Sequence, residues 1–418
     1  MAENSNLSSS ATNSPIRVSE YLPHLLHFTL SQAVRDTPEF SSPLPLDFCA
    51  KLLQSEPQNA CCCSQYHQSK QESNCCDCVC HADVAVAVRE GVPVYPLYKQ
   101  IASTLSESIT SGTFVRENAS MPGLHEDETL TLKMDEWIKM IVKMGSHLID
   151  VLQRAKFHID VQEPFFTQLK NGQKTVEGRC ALGNYKRILP GDLLLVNRCL
   201  LLTVQAVNWY NSFYQMIEAE SIEKVLPGIE TIEEGVQVYR QFYSEEKEKS
   251  GGVLAIAVVR SLPQPYIILS DMLRELNVEG LSVLLGLRST TGTVPDAVPP
   301  PRSTLMSSFS SLNRENGTGN KLTVGARALA KHVHRSRDGW WGPFTGKEVE
   351  KNNFARDIVS HIISCAQWTN IYHVHPNKCI FETRTKEGYG ARWSRNGTEF
   401  IGFLEPLMKD GHSKRWRH

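Results

Sequence analysis

The stretch "NGQKTVEGR" at residues 171–179 crowds together charged side chains that could do chemistry. Lys174, Glu177 and Arg179 lie within six residues, closely behind a glycine. A lysine and an arginine can together grip a phosphate group, while a glutamate can hold one of the two cations in place or accept a hydrogen bond from a base amino group. The pattern predicts a binding site, and the alternative interpretation is a solvated ion pair at the end of a strand.

A second group of candidates follows this motif along the chain. Tyr185, Lys186 and Arg187 lie on the connection behind it, and Trp209 stands near the end of a later apolar run. Basic side chains neutralise phosphates, and an aromatic face stacks on an unpaired base with about 1–3 kcal/mol per base. These residues are candidates for RNA binding. The alternatives are a solvated loop for the first three and an ordinary core or rim aromatic for Trp209.

The C-terminal part of the chain is basic and rich in tryptophan. Residues 325–418 hold 16 Lys and Arg against 9 Asp and Glu, a net charge of +7, whereas the whole chain of 418 residues carries −1. An asymmetry of this kind suggests a polyanionic partner. The runs "RSRDGWWGPF" and "GYGARWSRNG" supply four further candidates for RNA binding, Trp340, Trp341, Arg392 and Trp393. The alternative is that the indoles cap the core of their own domain.

The run "CCCSQYHQSKQESNCCDCVCH" at residues 61–81 concentrates thiols. Its one Cys-x-x-Cys pair is Cys75 and Cys78, and Cys80 and His81 complete a possible set of four ligands for a structural zinc ion. The second pair that zinc knuckles ordinarily have is missing, so an exposed loop of reduced thiols is the alternative. No other cofactor is expected.

Helical and strand-like runs must position these residues, and their order along the chain predicts a multidomain α+β protein. Residues 134–152 repeat apolar side chains at helical spacing, and "GDLLLVN", "CLLLTVQAVNWY" and "GGVLAIAVV" are strand-like runs with two helical segments between them. The predicted order is a disordered N-terminus (1–20), a helical region (21–156) with a cysteine-rich loop at about 60–82, a compact barrel-like domain (157–265), a helical segment (266–288), a flexible linker (289–322) and a small α+β C-terminal domain (323–418).

The segment "FFTQLKNGQKTVEGRCALGNYKRILPGDLLLV" resembles the opening of an ASCH domain, a small barrel related to the PUA domain. The family signature is Gly-x-Lys-x-x-Glu-x-Arg, matched here by Gly172, Lys174, Glu177 and Arg179, and a Gly-Asp turn follows at residues 191–192. The resemblance implies a PUA-like ASCH β-barrel with helices, and a cleft lined by the Lys, Glu and Arg that takes RNA or a nucleotide. The tryptophan-rich C-terminal pattern is similar to the C-terminal extension of plant ASCH proteins.

The same resemblance includes small amidohydrolases that act on acetylated cytidine. They use a lysine and a threonine of this motif and a glutamate from further along the chain. Lys174 matches the lysine, but Glu177 occupies the threonine position, and a carboxylate does not replace an activated hydroxyl in amide hydrolysis. If the chain is an enzyme, Lys174 and Glu177 are its candidates for catalysis. The preferred interpretation is an RNA-binding protein of RNA metabolism or transcriptional coregulation, without catalysis.

A third hypothesis is a protein-interaction adaptor, in which the helical region and the C-terminal domain bind protein partners. No run approaches the roughly 18 apolar residues of a membrane span, so no membrane is expected among the partners. The first 16 residues lack the apolar core of a secretory signal, which predicts an intracellular protein of the nucleus, the cytoplasm or both. RNA is the expected partner and protein partners are a second possibility, while the sequence does not indicate the oligomeric state.

Overall fold

The computed structural model describes residues 17–35, 41–57, 91–114, 128–312, 321–336, 339–376 and 378–406. The helices are α1 (Val18–Val34), α2 (Leu46–Leu53), α3 (Leu97–Ser111), α4 (Glu128–Gln153), α5 (Phe165–Asn171), α6 (Phe213–Glu220), α7 (Ile222–Val225), α8 (Ile232–Arg240), α9 (Glu245–Gly251), α10 (Pro265–Leu284), α11 (Arg302–Ser310), α12 (Val324–His332) and α13 (Glu348–Ser364). The strands are β1 (Phe157–Ile159), β2 (Val176–Cys180), β3 (Leu193–Val196), β4 (Leu200–Tyr210), β5 (Val253–Arg260), β6 (Trp368–His375), β7 (Lys378–Arg384), β8 (Gly390–Ser394) and β9 (Phe400–Leu404).

These elements form two compact units, each with its own sheet. The first unit contains the described residues of 1–29 together with 143–272, and the second contains those of 30–142 together with 273–418. The mixed α+β class predicted from the sequence is confirmed. Within the described ranges, no helix is both long enough and apolar enough to cross a membrane.

The sheet of the first unit has the strand order β1-β3-β4-β5-β2 and curls into a half-barrel. β1 pairs parallel with β3, and the other neighbours are antiparallel. All four residues of β3 are buried, as the unbroken apolar run "LLLV" predicts for a central strand. A register shift in β4 between Val204 and Ala206 marks an irregularity of the kind that bends and twists a strand.

Three helices, α6, α7 and α8, pack against this sheet around a core that includes Val176, Cys180 and Ala255. Their starts follow from capping residues in the sequence, because the Ser212 side chain accepts from the backbone N–H of Gln215 and the Thr231 side chain accepts from that of Glu234. The Phe213 and Tyr239 rings stack with centroids 4.1 Å apart. The helical layer therefore fixes one side of β2.

Helix α1 belongs in part to the first unit. Its Phe28 ring contacts Phe166 and Tyr266 edge-on, with centroids 5.6 and 5.3 Å away, and Tyr21 contacts His158. Apolar and aromatic side chains on one face of α1 thus pack with residues more than a hundred positions later in the chain. The helical region predicted at 21–156 is therefore divided between the two units.

The second unit contains the antiparallel sheet β6-β7-β8-β9. Alternate residues of these strands, including Ile371, Phe381 and Trp393, lie in one apolar core. Buried residues of α12 and α13, such as Leu329 and Val359, belong to the same core. This sheet and its helices agree with the prediction of a small α+β domain near the C-terminus.

The prediction of a flexible linker at residues 289–322 is wrong for much of that range. It contains α11, whose Leu305 and Phe309 are buried in the core of the second unit. These two apolar residues are four apart, so they share one face of the helix. A Cβ at Gly325 would lie 2.1 Å from the Phe309 ring, which shows how closely α12 approaches α11. The Pro- and Ser-rich composition concealed this short apolar face.

Candidate functional site

The charged motif begins at a tight turn that follows α5. Gly172 has φ = +76° and closes the helix by donating its backbone N–H to the Leu169 carbonyl at 3.2 Å. Glycine suits this left-handed position because it has no Cβ to clash. The Lys174 N–H then returns to the Gln168 carbonyl at 3.1 Å, and β2 starts two residues later. These backbone hydrogen bonds therefore place Lys174 just before β2, with Glu177 and Arg179 within the strand.

Lys174, Glu177 and Arg179 form one ion-paired triad. The Lys174 Nζ lies 3.2 Å from Glu177 Oε2, and the Arg179 Nε lies 2.9 Å from Glu177 Oε1. The exposed fractions of the three side chains are 1%, 8% and 11% in chain order. The sequence predicted either a cleft lined by the three side chains or a solvated ion pair at the end of a strand. The structure buries Lys174 and Glu177, so the solvated ion pair is wrong for these two residues, and a binding role for the triad stays a prediction.

The Lys174 ammonium has three acceptors around it. Besides Glu177, it donates to the Val176 carbonyl at 2.7 Å and to the Val225 carbonyl at the end of α7. Burial lowers the pKa of Lys174, and the neighbouring Glu177 carboxylate opposes that shift. A lysine so enclosed ties β2 to α7 and orients Glu177, and in this arrangement none of its N–H groups is left to contact a ligand.

Arg179 is the most exposed member of the triad, although its side chain is only 11% exposed. Its Nη2 donates to the Asp160 carbonyl at 2.7 Å, and its guanidinium carbon lies 5.8 Å from the centre of the Tyr185 ring. Burial by itself would lower the pKa of Arg179, but the Glu177 carboxylate outweighs it and holds the pKa above its ordinary value. Arg179 is thus a permanently charged group whose orientation is set by fixed neighbours.

Register places an exposed tryptophan on the same side of the sheet as Arg179. Arg179 is paired with Leu254 on β5, and Leu254 is paired with Trp209 on β4. Directly opposed residues of antiparallel strands project to the same side, so the three form one row across the sheet. Trp209 is 56% exposed, and its Nε1 donates to the Gly251 carbonyl at 3.0 Å. The indole is therefore both fixed and accessible.

Two further cations lie on the turn that contacts Arg179. The 3-10 turn Gly183–Arg187 carries Tyr185 half-buried next to Arg179, and its Lys186 and Arg187 are exposed. We call the set Arg179, Tyr185, Lys186, Arg187 and Trp209 the aromatic–basic face. It combines three positive charges with two aromatic rings, which is the combination that binds single-stranded nucleic acid.

The structure separates the candidates of the second unit. Trp341 and Trp393 are completely buried, and the Trp393 Nε1 donates to the Leu305 carbonyl at 3.2 Å. The prediction that these two stack on bases is therefore wrong, and they instead fill the core of their own domain, which was the alternative. Trp340 is half-buried and stacks on Tyr389 with ring centroids 4.2 Å apart.

Arg392 belongs to a polar cluster on the second sheet. Glu382 accepts from Arg384 Nε at 2.6 Å through Oε1, and from Arg392 Nε at 2.5 Å and the Tyr372 hydroxyl at 2.6 Å through Oε2. Burial alone would raise the pKa of Glu382, but the two guanidinium groups hold it below its ordinary value. Sequence reasoning found Arg392 and missed the other three, although Glu382 and Arg384 show the two-residue alternation of a polar strand face.

The predicted zinc ligands Cys75, Cys78, Cys80 and His81 lie outside the described residues. Within the described ranges, no group of His, Cys, Asp and Glu side chains is arranged to hold a metal ion.

Comparison with known proteins assigns the first of these sites to a family. The ASCH domain model matches residues 159–261. Hypothetical protein PH0355 is 42% identical, and the match covers 25% of this chain and 98% of that one, with a TM-score of 0.25. The chain contains an ASCH domain at residues 159–261. Protein PF0455 from Pyrococcus furiosus is similarly matched, at 43% identity over 25% of this chain and 97% of that one, with a TM-score of 0.24. The curated proteins contain no match.

The ASCH domain thus coincides with the half-barrel that carries the aromatic–basic face. A second family model, the CdiA C-terminal tRNase toxin domain, matches residues 312–405. That stretch contains α12, α13 and the whole sheet β6–β9, including the polar cluster around Glu382. The chain is therefore similar to two families in two separate parts, and the ASCH fold is of an RNA-binding type.

Proposed function

We propose that this chain is an RNA-binding protein and that the aromatic–basic face of its ASCH domain contacts the RNA. The observation that carries the proposal is the row of the exposed Trp209 and the ion-paired Arg179, with Lys186 and Arg187 exposed on the turn whose Tyr185 contacts Arg179. The RNA-binding type of the ASCH fold supports the same conclusion.

The arrangement suits an unpaired strand. Trp209 offers a ring face for one base at about 1–3 kcal/mol, and the cations of the face neutralise phosphates. Arg179 is held by Glu177 and the Asp160 carbonyl, so little side-chain entropy is lost when it binds. The buried members of the triad serve this face by positioning Arg179 rather than by touching RNA.

The test is fluorescence anisotropy of the full chain with short single-stranded RNAs across a salt series. Trp209→Ala should weaken binding about 5- to 150-fold, because one stacked base is lost. The double variant Lys186→Ala with Arg187→Ala should reduce the slope of log affinity against log salt by about one to two.

The matched control removes the same charge from the exposed Lys139 and Lys143 of α4. This double variant should bind RNA as the wild type does. If all variants bind equally, the aromatic–basic face is not the RNA-binding surface.

A second function is favoured by the match of residues 312–405 to a tRNase toxin domain. We infer that this C-terminal domain also acts on RNA, with transfer RNA as the first substrate to test. The full chain would be incubated with transcribed tRNA and the products separated on a denaturing gel. Fragments or a stable complex would support the inference, and intact tRNA without any complex would contradict it.

A further inference from the structure

We propose that the second sheet carries a phosphate-binding site for RNA centred on Arg392, with Tyr372 and Glu382 holding the guanidinium in place. This proposal rests on the inferred action of the C-terminal domain on RNA, and it identifies the part of that domain that meets the phosphodiester backbone.

The site lies on the side of the sheet opposite the apolar core. Phe381, Ala391 and Trp393 project into the core with α12 and α13, so the residues alternating with them project the other way. On that side, Asn370, Glu382, Arg392 and Gly402 are paired in register across β6, β7, β8 and β9. We call this row and the side chains bonded to it the polar face.

The polar face contains more positive charge than its own carboxylate neutralises. Glu382 is 1% exposed and is shared by two arginines, so the cluster of three carries a net charge of +1. Arg384 is 2% exposed, and its Nη1 donates to the Gly388 and Glu405 carbonyls. Arg392 is 27% exposed, so the surplus charge lies at the open end of the cluster.

The geometry of Arg392 leaves donors for a ligand. Its Nε bonds Glu382 and its Nη2 lies 3.1 Å from the Tyr372 hydroxyl, while among the described residues its Nη1 has no hydrogen-bond partner. Tyr372 in turn donates to Glu382, which fixes all three groups relative to one another. A planar guanidinium held in this way presents its remaining N–H groups in the geometry that pairs with phosphate oxygens.

The neighbouring strand leaves room beside Arg392. A Cβ at Gly402 would meet nothing within 4 Å, whereas a Cβ at Gly390, also on this sheet, would lie 2.3 Å from the Thr383 carbonyl oxygen. Gly402 is not among the glycines with positive φ, so its backbone conformation does not demand glycine. A glycine inside a strand often marks a bulge or a place where a ligand or another chain approaches, and a register shift does lie beside Gly402, between Arg392 and Trp393. The space that a Cβ at Gly402 would fill is open to a ligand.

RNA is the polyanion that these observations favour over a free anion. The open end combines one oriented cation with the tyrosine ring beside it, and the surrounding stretch 325–418 has a net charge of +7. A single surplus charge gives weak affinity for an isolated phosphate, but it adds to the other contacts of a long polyanion. The buried Glu382 acts through Arg392 and is a positioning residue.

The test uses the full chain with a fluorescein-labelled, transcribed tRNA and measures anisotropy. The ASCH face is first disabled by Trp209→Ala, Lys186→Ala and Arg187→Ala, so that binding by the C-terminal domain is measured alone. In that background, Arg392→Ala should weaken binding about tenfold or more, because a charge-assisted hydrogen bond is lost. Gly402→Leu should weaken it comparably by filling the open space, and Gly402→Ala should weaken it less.

Arg395→Ala is the matched control, since Arg395 is exposed on the turn after β8 and carries the same charge. It should change the affinity no more than about twofold. Thermal unfolding of each variant separates lost binding from lost folding, and Gly402→Leu keeps the test valid if Arg392→Ala fails to fold.

The outcomes distinguish the two proposals. If the disabled background shows neither tRNA binding nor cleavage, the inferred action of the C-terminal domain on RNA fails, and this site fails with it. If the background binds tRNA and both Arg392→Ala and Gly402→Leu bind equally well, only the site is overturned. Losses in both variants with Arg395→Ala unchanged support it.

Discussion

Replacing Glu177 by glutamine tests whether the buried triad holds the ASCH domain together. In the folded chain, Glu177 lies between Lys174 and Arg179, whose side chains are 1% and 11% exposed. The variant keeps the shape of the side chain and removes its charge. Two buried cations then remain close together without the carboxylate that neutralised them.

The expected loss of stability follows from this burial. Removing one partner of a buried ion pair costs about 3–5 kcal/mol, because the remaining charge is left desolvated. The amide oxygen of glutamine still accepts one hydrogen bond, so we expect a value near the lower limit, about 3 kcal/mol. The matched control is Glu245→Gln, since Glu245 pairs with Lys249 at 3.2 Å while both side chains are more than half exposed. An exposed pair of this kind contributes about 0.3–0.5 kcal/mol.

Hydrogen exchange of the full chain, followed by mass spectrometry, measures the loss of stability of Glu177→Gln locally in β2 and β5. Exchange of a core amide reports the free energy of opening, so a loss of about 3 kcal/mol accelerates it roughly a hundredfold. Glu245→Gln should accelerate exchange about twofold. An acceleration below about threefold in Glu177→Gln would refute the reasoning, because it would mean that the triad contributes no more than a surface pair.

Three other predictions concern single side chains. Gly178→Ala should lower the thermal midpoint through a loss of about 1–3 kcal/mol, since its Cβ would lie 2.3 Å from the Tyr239 hydroxyl oxygen. Leu305→Ala should destabilise the second unit by about 2–5 kcal/mol in denaturant unfolding, because Leu305 is fully buried in its core. The pKa of Glu382 is lowered in the folded state, so its carboxylate stabilises the fold above its unfolded pKa, and this contribution is lost as the pH falls through the folded pKa. Acid titration of stability should therefore show a steeper loss below about pH 4.5 for the wild type than for Glu382→Gln.

Several strands of the ASCH domain and the start of one of its helices could be predicted from the sequence. Apolar runs bounded by glycine and aspartate predicted β3, β4 and β5, and Thr231 predicted the start of α8 through its cap. The charged motif was also found, because three ionisable residues in six positions stand out. The burial of these charged residues could not be predicted, since it depends on the Val225 carbonyl at the end of α7, about fifty residues later in the chain.

In the second unit, the burial of aromatic side chains could not be predicted from their neighbours in the sequence. Tryptophans flanked by arginine and glycine looked like surface groups, yet Trp341 and Trp393 are core residues. Composition describes neighbours in the chain, whereas the core is assembled from α11, α12, α13 and the sheet, which are remote in sequence. The Glu382 cluster escaped notice for the same reason, because Tyr372 and Arg392 reach it from two different strands.

The most direct test of the central claim is RNA binding by the full chain with and without Trp209. Trp209 is 56% exposed, and its replacement by alanine removes the stacking surface while leaving the ion-paired triad intact. We expect salt-sensitive binding of single-stranded RNA by the wild type, and binding at least about fivefold weaker for Trp209→Ala. Equal affinity of the two proteins, or no RNA binding by the wild type, would contradict it.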